Sequence, residues 1–483
     1  MDFHEYSLGN VNGLRLGLVS TISLTGFLGV ILLPFYVYYF GIGIFWEFFG
    51  IIFFVLIMWN HLSFRLMRYS KKSESIVSIP GYFSRRFGEK SIFIRMFSAV
   101  EIIILSVLIT GYIVKEAAII LNAMTGVDKS VFALVFLLII SCYCGIMGYN
   151  SMAKTVYIKA IFVLVVFLML GIYMFTRQSI AELMRNTMRT DITGSVSEYL
   201  NVLYHNGRML ASNDYVTLLS KGLLVTGMPF MLINFFASRE SRVITKGRNT
   251  AFVFLVIFFI TSMFVGAIMR GFLYPERITN SISSFLKMYY DKLAEGGGLG
   301  RVMSILLIML IMVALISIVE AFINSITVIF FEDIINRGNV VRVDHKFMRE
   351  TLISVSMIFG VLIFFVEQYL GHISISGLMM FVAVLGCSIS PTVFMSLVWE
   401  RMNGAGCIAG LIFGMAGVGI FEYAPIIKVD GVRQSISVVF GLSPILPAFI
   451  LSCLGIILFS LLTKKPSKEI VEEFREVRNR IVE

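Results

Sequence analysis

Twelve runs of mostly apolar residues divide this chain, at about 14–40, 44–63, 98–122, 130–149, 155–175, 218–237, 251–272, 301–331, 349–368, 374–399, 404–421 and 437–463. A helix needs about 20 apolar residues to cross the hydrocarbon core of a bilayer. Every backbone donor and acceptor inside that core must be satisfied within the segment, so such runs are helices. An outer-membrane barrel would instead show alternating segments of about ten residues. Composition agrees: 58% of the 483 residues are hydrophobic and 14% are charged. A soluble chain could not cover that much apolar surface with a polar skin. The sequence predicts an all-α polytopic membrane protein with about 12 transmembrane helices, forming one bundle over residues 1–483.

The net charge of +10 comes from loops and does not indicate a nucleic-acid partner. Arg65, Arg68, Lys71, Lys72, Arg85, Arg86, Lys90 and Arg95 follow the second run. Arg239, Arg242, Lys246 and Arg248 follow the sixth, and Arg337, Arg342, Lys346 and Arg349 the eighth. All lie on one side if both termini are cytoplasmic, as positive-inside bias requires of a cytoplasmic-membrane protein. Connections 176–217 and 273–300 fall on the other side, and the second holds an amphipathic segment, "SISSFLKMYYDKL", expected at the membrane interface. The tail 464–483 has Ile470, Phe474, Val477 and Ile481 at helical spacing behind Ser467, a good N-cap. It predicts an amphipathic cytoplasmic helix on the membrane or on the bundle.

The five cysteines lie in apolar runs without metal-ligand spacing and read as buried small hydrophobes. The N-terminus lacks the basic start of a signal peptide. Charges inside spans are costly and usually functional. Lys115 and Glu116 sit near the outer end of the third run, and Glu101 near its inner end, within reach of a loop arginine. Glu320 lies about 18 Å along its helix from the inner end at Glu332 and Asp333. It shares one face with Ser317 and Asn324, either as a functional carboxylate or as a protonated, hydrogen-bonded structural one. Gly26, Gly29 and Pro34 weaken span 1, and Gly222, Gly227 and Pro229 weaken span 6, at corresponding places. Such interruptions free backbone groups for ions or solute.

Five segments resemble the sodium/solute symporter family, most closely its bacterial sodium/proline branch. They are "SIPGYFSRRFGEKS" (78–91), "MGYNSMAKTVYIKA" (147–160), "GMPFMLINFFASRES" (227–241), "SPTVFMSLVWERMNGAGCIAGLIFG" (390–414) and "FSLLTKKPSKEIVEEF" (459–474). The resemblance implies a leucine-transporter-like fold: inverted five-helix repeats at 14–175 and 218–399, then two extra helices at 404–463. "FHEYSLGNVNGL" resembles the stretch that follows an additional first helix in most members; this sequence starts after that helix, which fits either a real absence or a truncated gene start.

In the family a sodium ion lies between the first and eighth core helices. By resemblance its positions are Thr21, Leu24, Ala314, Ser317 and Ile318. Ser317 keeps a hydroxyl and Ile318 removes one. Val156 and Lys159 stand where the family has the Asp and Gln of its Thr-Asp-x-x-Gln segment. Lys159 either snorkels to the cytoplasmic interface or acts near the ion site, and Glu320 and Lys159 are the candidate coupling residues. The solute candidates are Ser23, Gly26, Lys221, Val225, Gly227, Pro229 and Asn324. Ser23 falls where the proline branch has an aspartate, and Asn234 where an arginine is usual. Lys221 and Val225 replace the branch's Trp and Tyr, so the proline pocket is not preserved. Lys221 either meets an anionic solute group or snorkels.

The expected function is a secondary transporter importing a small polar organic solute, coupled to Na+, with H+ as the alternative through Lys159 and Glu320. A membrane sensor is a further alternative. No nucleophile–base or metal constellation supports a membrane enzyme. The expected partners are the solute and membrane lipids, and the sequence gives no oligomeric state.

Overall fold

The computed structural model describes residues 3–8, 11–72, 76–88, 92–188, 196–238, 240–276, 281–336, 345–370, 375–429 and 432–479. Among these, 11 helices are long and apolar enough to cross a membrane, or up to 12 if one bent pair counts as a span. In chain order, spans 1 to 5 are Gly13–Phe40, Ile42–Lys72, Ile92–Thr125, Lys129–Met147 and Tyr149–Arg177. Span 6 is the bent pair Ser212–Val225 and Pro229–Phe236. Spans 7 to 12 are Ser241–Leu273, Gly297–Ile335, Lys346–Tyr369, Gly377–Val398, Gly404–Tyr423 and Ile445–Leu462.

Every expected span has a helix, but several overrun their apolar runs. Spans 2 and 8 end late and spans 3 and 7 start early, all on the face that carries the basic loops. The added turns of spans 2 and 7 carry Lys and Arg, whose stems can lie along apolar surface, whereas those of spans 3 and 8 are held to each other by buried Arg95 with Glu332 and Asp333. Span 12 starts later than its run. A short helix, Ile436–Phe440, ends at Gly441, whose φ of 58° is left-handed, and Pro444 caps the true span. An antiparallel hairpin, Ile427–Val429 with Val432–Gln434, precedes it. Span 1 is deeply enclosed, with 89% of its apolar window buried, against 33% for span 12 at the periphery. That contrast puts span 1 at the bundle's centre.

On the basic face, three of the quoted segments converge. Ser78 caps the helix Ile79–Phe87, accepting from the Gly81 N–H at 3.0 Å. Buried Arg86 donates to the carbonyls of Ser396 (2.9 Å) and Trp399 (3.3 Å), and lies over the Phe474 ring. Phe474 belongs to the tail helix Lys468–Asn479. Phe474 and Val477 are buried, and Arg68 donates to the Val477 carbonyl at 2.7 Å. The tail therefore packs on the bundle. Ile481, Lys90, Arg239, Arg337 and Arg342 lie outside the described residues. Arg95 pairs with Asp333 at 2.7 Å, closing spans 3 and 8 together at this face.

On the far face, "SISSFLKMYYDKL" forms the helix Ile282–Ala294. Its apolar side packs on the bundle. Ile282, Phe285, Leu286, Tyr289 and Leu293 are buried, and the Phe285 ring packs on Phe35 and Tyr38 of span 1. Its apolar side meets protein because the end of span 1 offers aromatic surface there. Among the described residues Glu101 pairs with no arginine; the Ser388 hydroxyl of span 10 donates to it. Not every cysteine is buried: Cys144, Cys387 and Cys407 are, Cys453 is partly so, and Cys142 is exposed on the bundle's outer surface. Among the described residues, no cluster of His, Cys, Asp or Glu could hold a metal ion.

Candidate functional site

The two weak spans distort differently. Span 1 is α-helical over Gly13–Thr25, π-helical over Gly26–Leu32, and α-helical again from Leu33 to Phe40. Pro34 has no N–H, so the ladder loses a donor just below it. The Leu33 N–H reaches back to the Leu28 carbonyl, which leaves the Gly29 carbonyl unclaimed within the helix. Ser262 of span 7 donates to it at 2.5 Å. The expected interruption is thus a wide helical turn rather than an open loop. Span 6 does open. Its halves meet at 47° across Thr226–Met228, and Pro229 starts the second half. Span 10 holds the break: the Thr226 and Ser390 hydroxyls are bonded, and a Cβ on Gly227 would sit 2.9 Å from the Gly386 carbonyl.

Between these spans lies a cavity of about 110 Å³. Span 1 contributes Leu24, Phe27, Leu28 and Leu32, and span 6 contributes Leu224, Val225 and Met228. Spans 2, 3, 8 and 10 complete it with Glu47, Ile51, Ile109, Ile113, Ile318, Phe322, Met379 and Val382, among others. Above it, a vestibule of about 850 Å³ reaches the far face past Tyr36, Tyr39, Phe40 and His205. Lys221, Leu224 and Met379 line both spaces and mark the neck. His205 stacks on Phe40, and burial together with the nearby Lys221 charge pushes its pKa down to about 4, so it is neutral at pH 7.

Span 1 meets span 8 at Gly26. A Cβ there would lie 2.5 Å from the Ala314 carbonyl, so only glycine permits the contact. Leu24 and Ile318 reach the cavity. The Thr21 hydroxyl donates to the Gly17 carbonyl at 2.9 Å, and Ser317 to Val313 at 2.7 Å. Donating its hydrogen backwards leaves a hydroxyl's lone pairs available to a cation. Further along the same helix Lys159 of span 5 forms an ion pair with Glu320, so the lysine does not snorkel. Asn324 donates to the Ser151 hydroxyl at 3.0 Å, and Glu320 and Asn324 are both buried. The Asn324 side-chain carbonyl and the Thr327 hydroxyl have no hydrogen-bond partner in this buried region.

Of the seven solute candidates, Lys221 and Val225 line the cavity and five do not. Ser23 turns its hydroxyl back to Val19 at 3.0 Å. Gly26 and Gly227 are spent on close helix contacts, Pro229 starts a helix, and Asn324 faces span 5. Asn234 is tied to Tyr149, whose hydroxyl lies 2.5 Å from its side-chain oxygen. Lys221 does not snorkel: it pairs with Glu47 at 2.6 Å. Glu47 was invisible to sequence reasoning because an acid at the start of a span reads as interfacial. The available signal was glycine placement, Gly50 one turn on and Gly222 beside Lys221.

Fold and cavity together define a membrane transporter of leucine-transporter-like architecture. The structure aligns with a Na+-coupled sialic acid symporter in a substrate-bound outward-open state, at a TM-score of 0.72 and 14% identity, covering 96% of this chain and 93% of that one. It also aligns with Mhp1, a nucleobase-cation-symport-1 family transporter, at 0.59 and 12%, covering 98% and 97%. The sodium:solute symporter family model matches residues 8–414, and the chain belongs to that family. Among curated relatives, the high-affinity proline transporter PutP of Bacillus subtilis is 21% identical, over 87% of this chain and 84% of its own length. A sodium/proline symporter of Staphylococcus aureus is 22% identical, over 92% and 84%. The chain is a multi-pass membrane protein and a secondary transporter.

Proposed function

We propose that this transporter carries a small organic solute through the central cavity and couples its movement to sodium. One observation carries the reading: a single cavity is lined by both distorted spans, the π-helical span 1 and the open span 6. The matching positions of these distortions support two five-helix repeats, 14–175 and 218–399, followed by helices in 404–463 and the tail 464–483. The basic loops support a cytoplasmic placement of both termini, with the vestibule facing outward. For sodium, a hard cation that prefers oxygen, the supporting groups are the Ser317 and Thr21 hydroxyl oxygens beside the Gly26–Ala314 contact. Proline is not proposed as the solute, because Lys221 and Val225 replace the aromatic residues of the proline branch.

A second reading of the coupling is favoured by the Lys159–Glu320 pair. The lysine brings a fixed positive charge to the eighth helix, and proton exchange on the pair would then drive transport. Uptake of labelled solutes into proteoliposomes separates the two. Sodium coupling expects uptake only with a sodium gradient and weaker sodium dependence in Ser317→Ala. Sodium-independent uptake that collapses with the proton gradient, and is lost in Lys159→Gln and Glu320→Gln, establishes the second reading instead. No uptake of any solute, with ligand-dependent conformational change retained, would identify a sensor.

A further inference from the structure

The cavity wall is apolar except at its neck. Glu47 and Lys221 are the only charged residues among those described that line it, and they bond each other at 2.6 Å. Packing brings them together. A Cβ on Gly222 would stand 2.2 Å from the Gly50 carbonyl, and one on Gly50 2.5 Å from the Leu219 carbonyl. Spans 2 and 6 therefore touch backbone to backbone, and the residues flanking that contact must face each other. Glu47 also lies in the first turn of its helix, where the helix dipole favours a carboxylate.

A buried ion pair is rarely more stabilising than apolar residues of the same volume. Its value at a cavity mouth is that it discriminates charge. A lone carboxylate drawn to Lys221 strands Glu47, and a lone ammonium drawn to Glu47 strands Lys221. Either outcome leaves an unpaired charge in apolar surroundings, which is costly. A neutral polar solute leaves the pair intact and finds almost no other polar partner in the wall. A zwitterion satisfies both groups at once, its carboxylate on Lys221 and its ammonium on Glu47. The hydrocarbon body then meets Phe27, Ile109, Ile113 and Phe322.

We propose that the Glu47–Lys221 pair is the charge-reading element of the solute site, and that the solute is a small zwitterion with an apolar body. The proposal rests on the central cavity being the solute site. It also narrows the small polar solute expected from sequence to one that is polar only at one end.

The test is calorimetric titration of the purified full chain, in sodium, with three matched sets. Leucine, phenylalanine and valine are each compared with the same skeleton lacking the amino group (4-methylpentanoate, 3-phenylpropanoate, 3-methylbutanoate) and lacking the carboxylate (3-methylbutylamine, phenethylamine, 2-methylpropylamine). The expected result is that at least one zwitterion binds, roughly 30-fold or more tighter than either singly charged partner. Glu47→Gln should cut the preference over the carboxylate to roughly threefold or less, and Lys221→Gln should do the same for the amine. The proposal is overturned if no zwitterion binds, if a singly charged analogue binds the native chain as tightly, or if both variants keep the native selectivity. Should a single variant fail to fold, the exchanged pair Glu47→Lys with Lys221→Glu preserves the contact and is expected to bind the zwitterion; an exchanged pair that folds but prefers a singly charged analogue overturns the proposal. Val225→Trp separates the two levels of inference by filling the cavity. Zwitterion binding that survives it removes the central cavity as the solute site. Binding lost there, with selectivity unchanged in the charge variants, leaves the cavity and removes only the charge-reading pair.

Discussion

Lys159 and Glu320 join spans 5 and 8; Lys221 and Glu47 join spans 6 and 2. The chemistry is the same and the settings differ. In the first pair the side chains are 13% and 1% exposed, and neither lines the central cavity or the vestibule. In the second they are 28% and 3% exposed, and the lysine lines both. The more enclosed pair is held between spans 5 and 8, with its carboxylate fully inside the bundle, so changing it disturbs the packing of those spans. The neck pair can exchange partners with whatever enters. Depth in the bundle, rather than residue type, separates a coupling candidate from a recognition candidate.

The sharpest way to break this comparison is to remove one charge from each pair. Glu320→Gln leaves an enclosed ammonium without a counter-charge and should cost about 3–5 kcal/mol, read as a lowered unfolding midpoint in detergent. Adding Lys159→Met to it should restore most of the loss. Lys221→Gln should cost less, about 1–2 kcal/mol, because water in the vestibule reaches that end of the pair. Double-mutant cycles would report the larger coupling energy for Lys159–Glu320, and equal energies would erase the distinction.

His205 offers a finer probe of the neck. Burial first, and Lys221 next, lower its pKa from 6.5 to about 4, with Arg208 adding to the effect and Asp214 opposing it. The unfolded chain therefore binds more protons than the folded one between these values, and this residue's contribution to stability is lost as pH falls through that window. Lys221→Gln should raise the His205 pKa and shrink the loss, whereas Lys159→Gln should leave it unchanged. Melting temperatures from pH 6.5 to 4 decide it. The smallest effect is expected for Ser317→Ala, below about 1 kcal/mol in stability because its hydrogen bond is a local one. Its consequence should instead be a higher sodium concentration for half-maximal uptake.

Much of the fold was legible because lipid imposes a severe rule. Each run of apolar residues had to become a helix, and each did, with differences confined to the ends, where polar or charged turns prolong the helix, as at Ser212 in span 6 and Glu332 in span 8, or where Gly441 delays span 12. Gly26, Pro34, Gly227 and Pro229 correctly marked the weak spans, since glycine and proline act on their own backbone. The site was less legible. Ser23 and Asn324 sit at plausible positions but do not line the cavity, the Ser23 hydroxyl donating to Val19 and the Asn324 amide to Ser151. Lys159 and Lys221 both permitted snorkelling, and Glu101 permitted an arginine partner. Which partner each charge found depended on helices more than 150 residues away along the chain.

By itself, the sequence determined the solvent of this protein, the number and order of its helices, the basic face and the points where spans 1 and 6 weaken. These follow from local properties: apolar run length, loop charge and backbone freedom. Tertiary structure alone decided that span 1 would bulge while span 6 opened, that Glu47 would meet Lys221, and that Glu320 would meet Lys159. Those outcomes depend on where two helices approach closely, at Gly26 against Ala314 and at Gly50 against Gly222. A close approach is a property of a pair of surfaces, and no single stretch of the chain contains it.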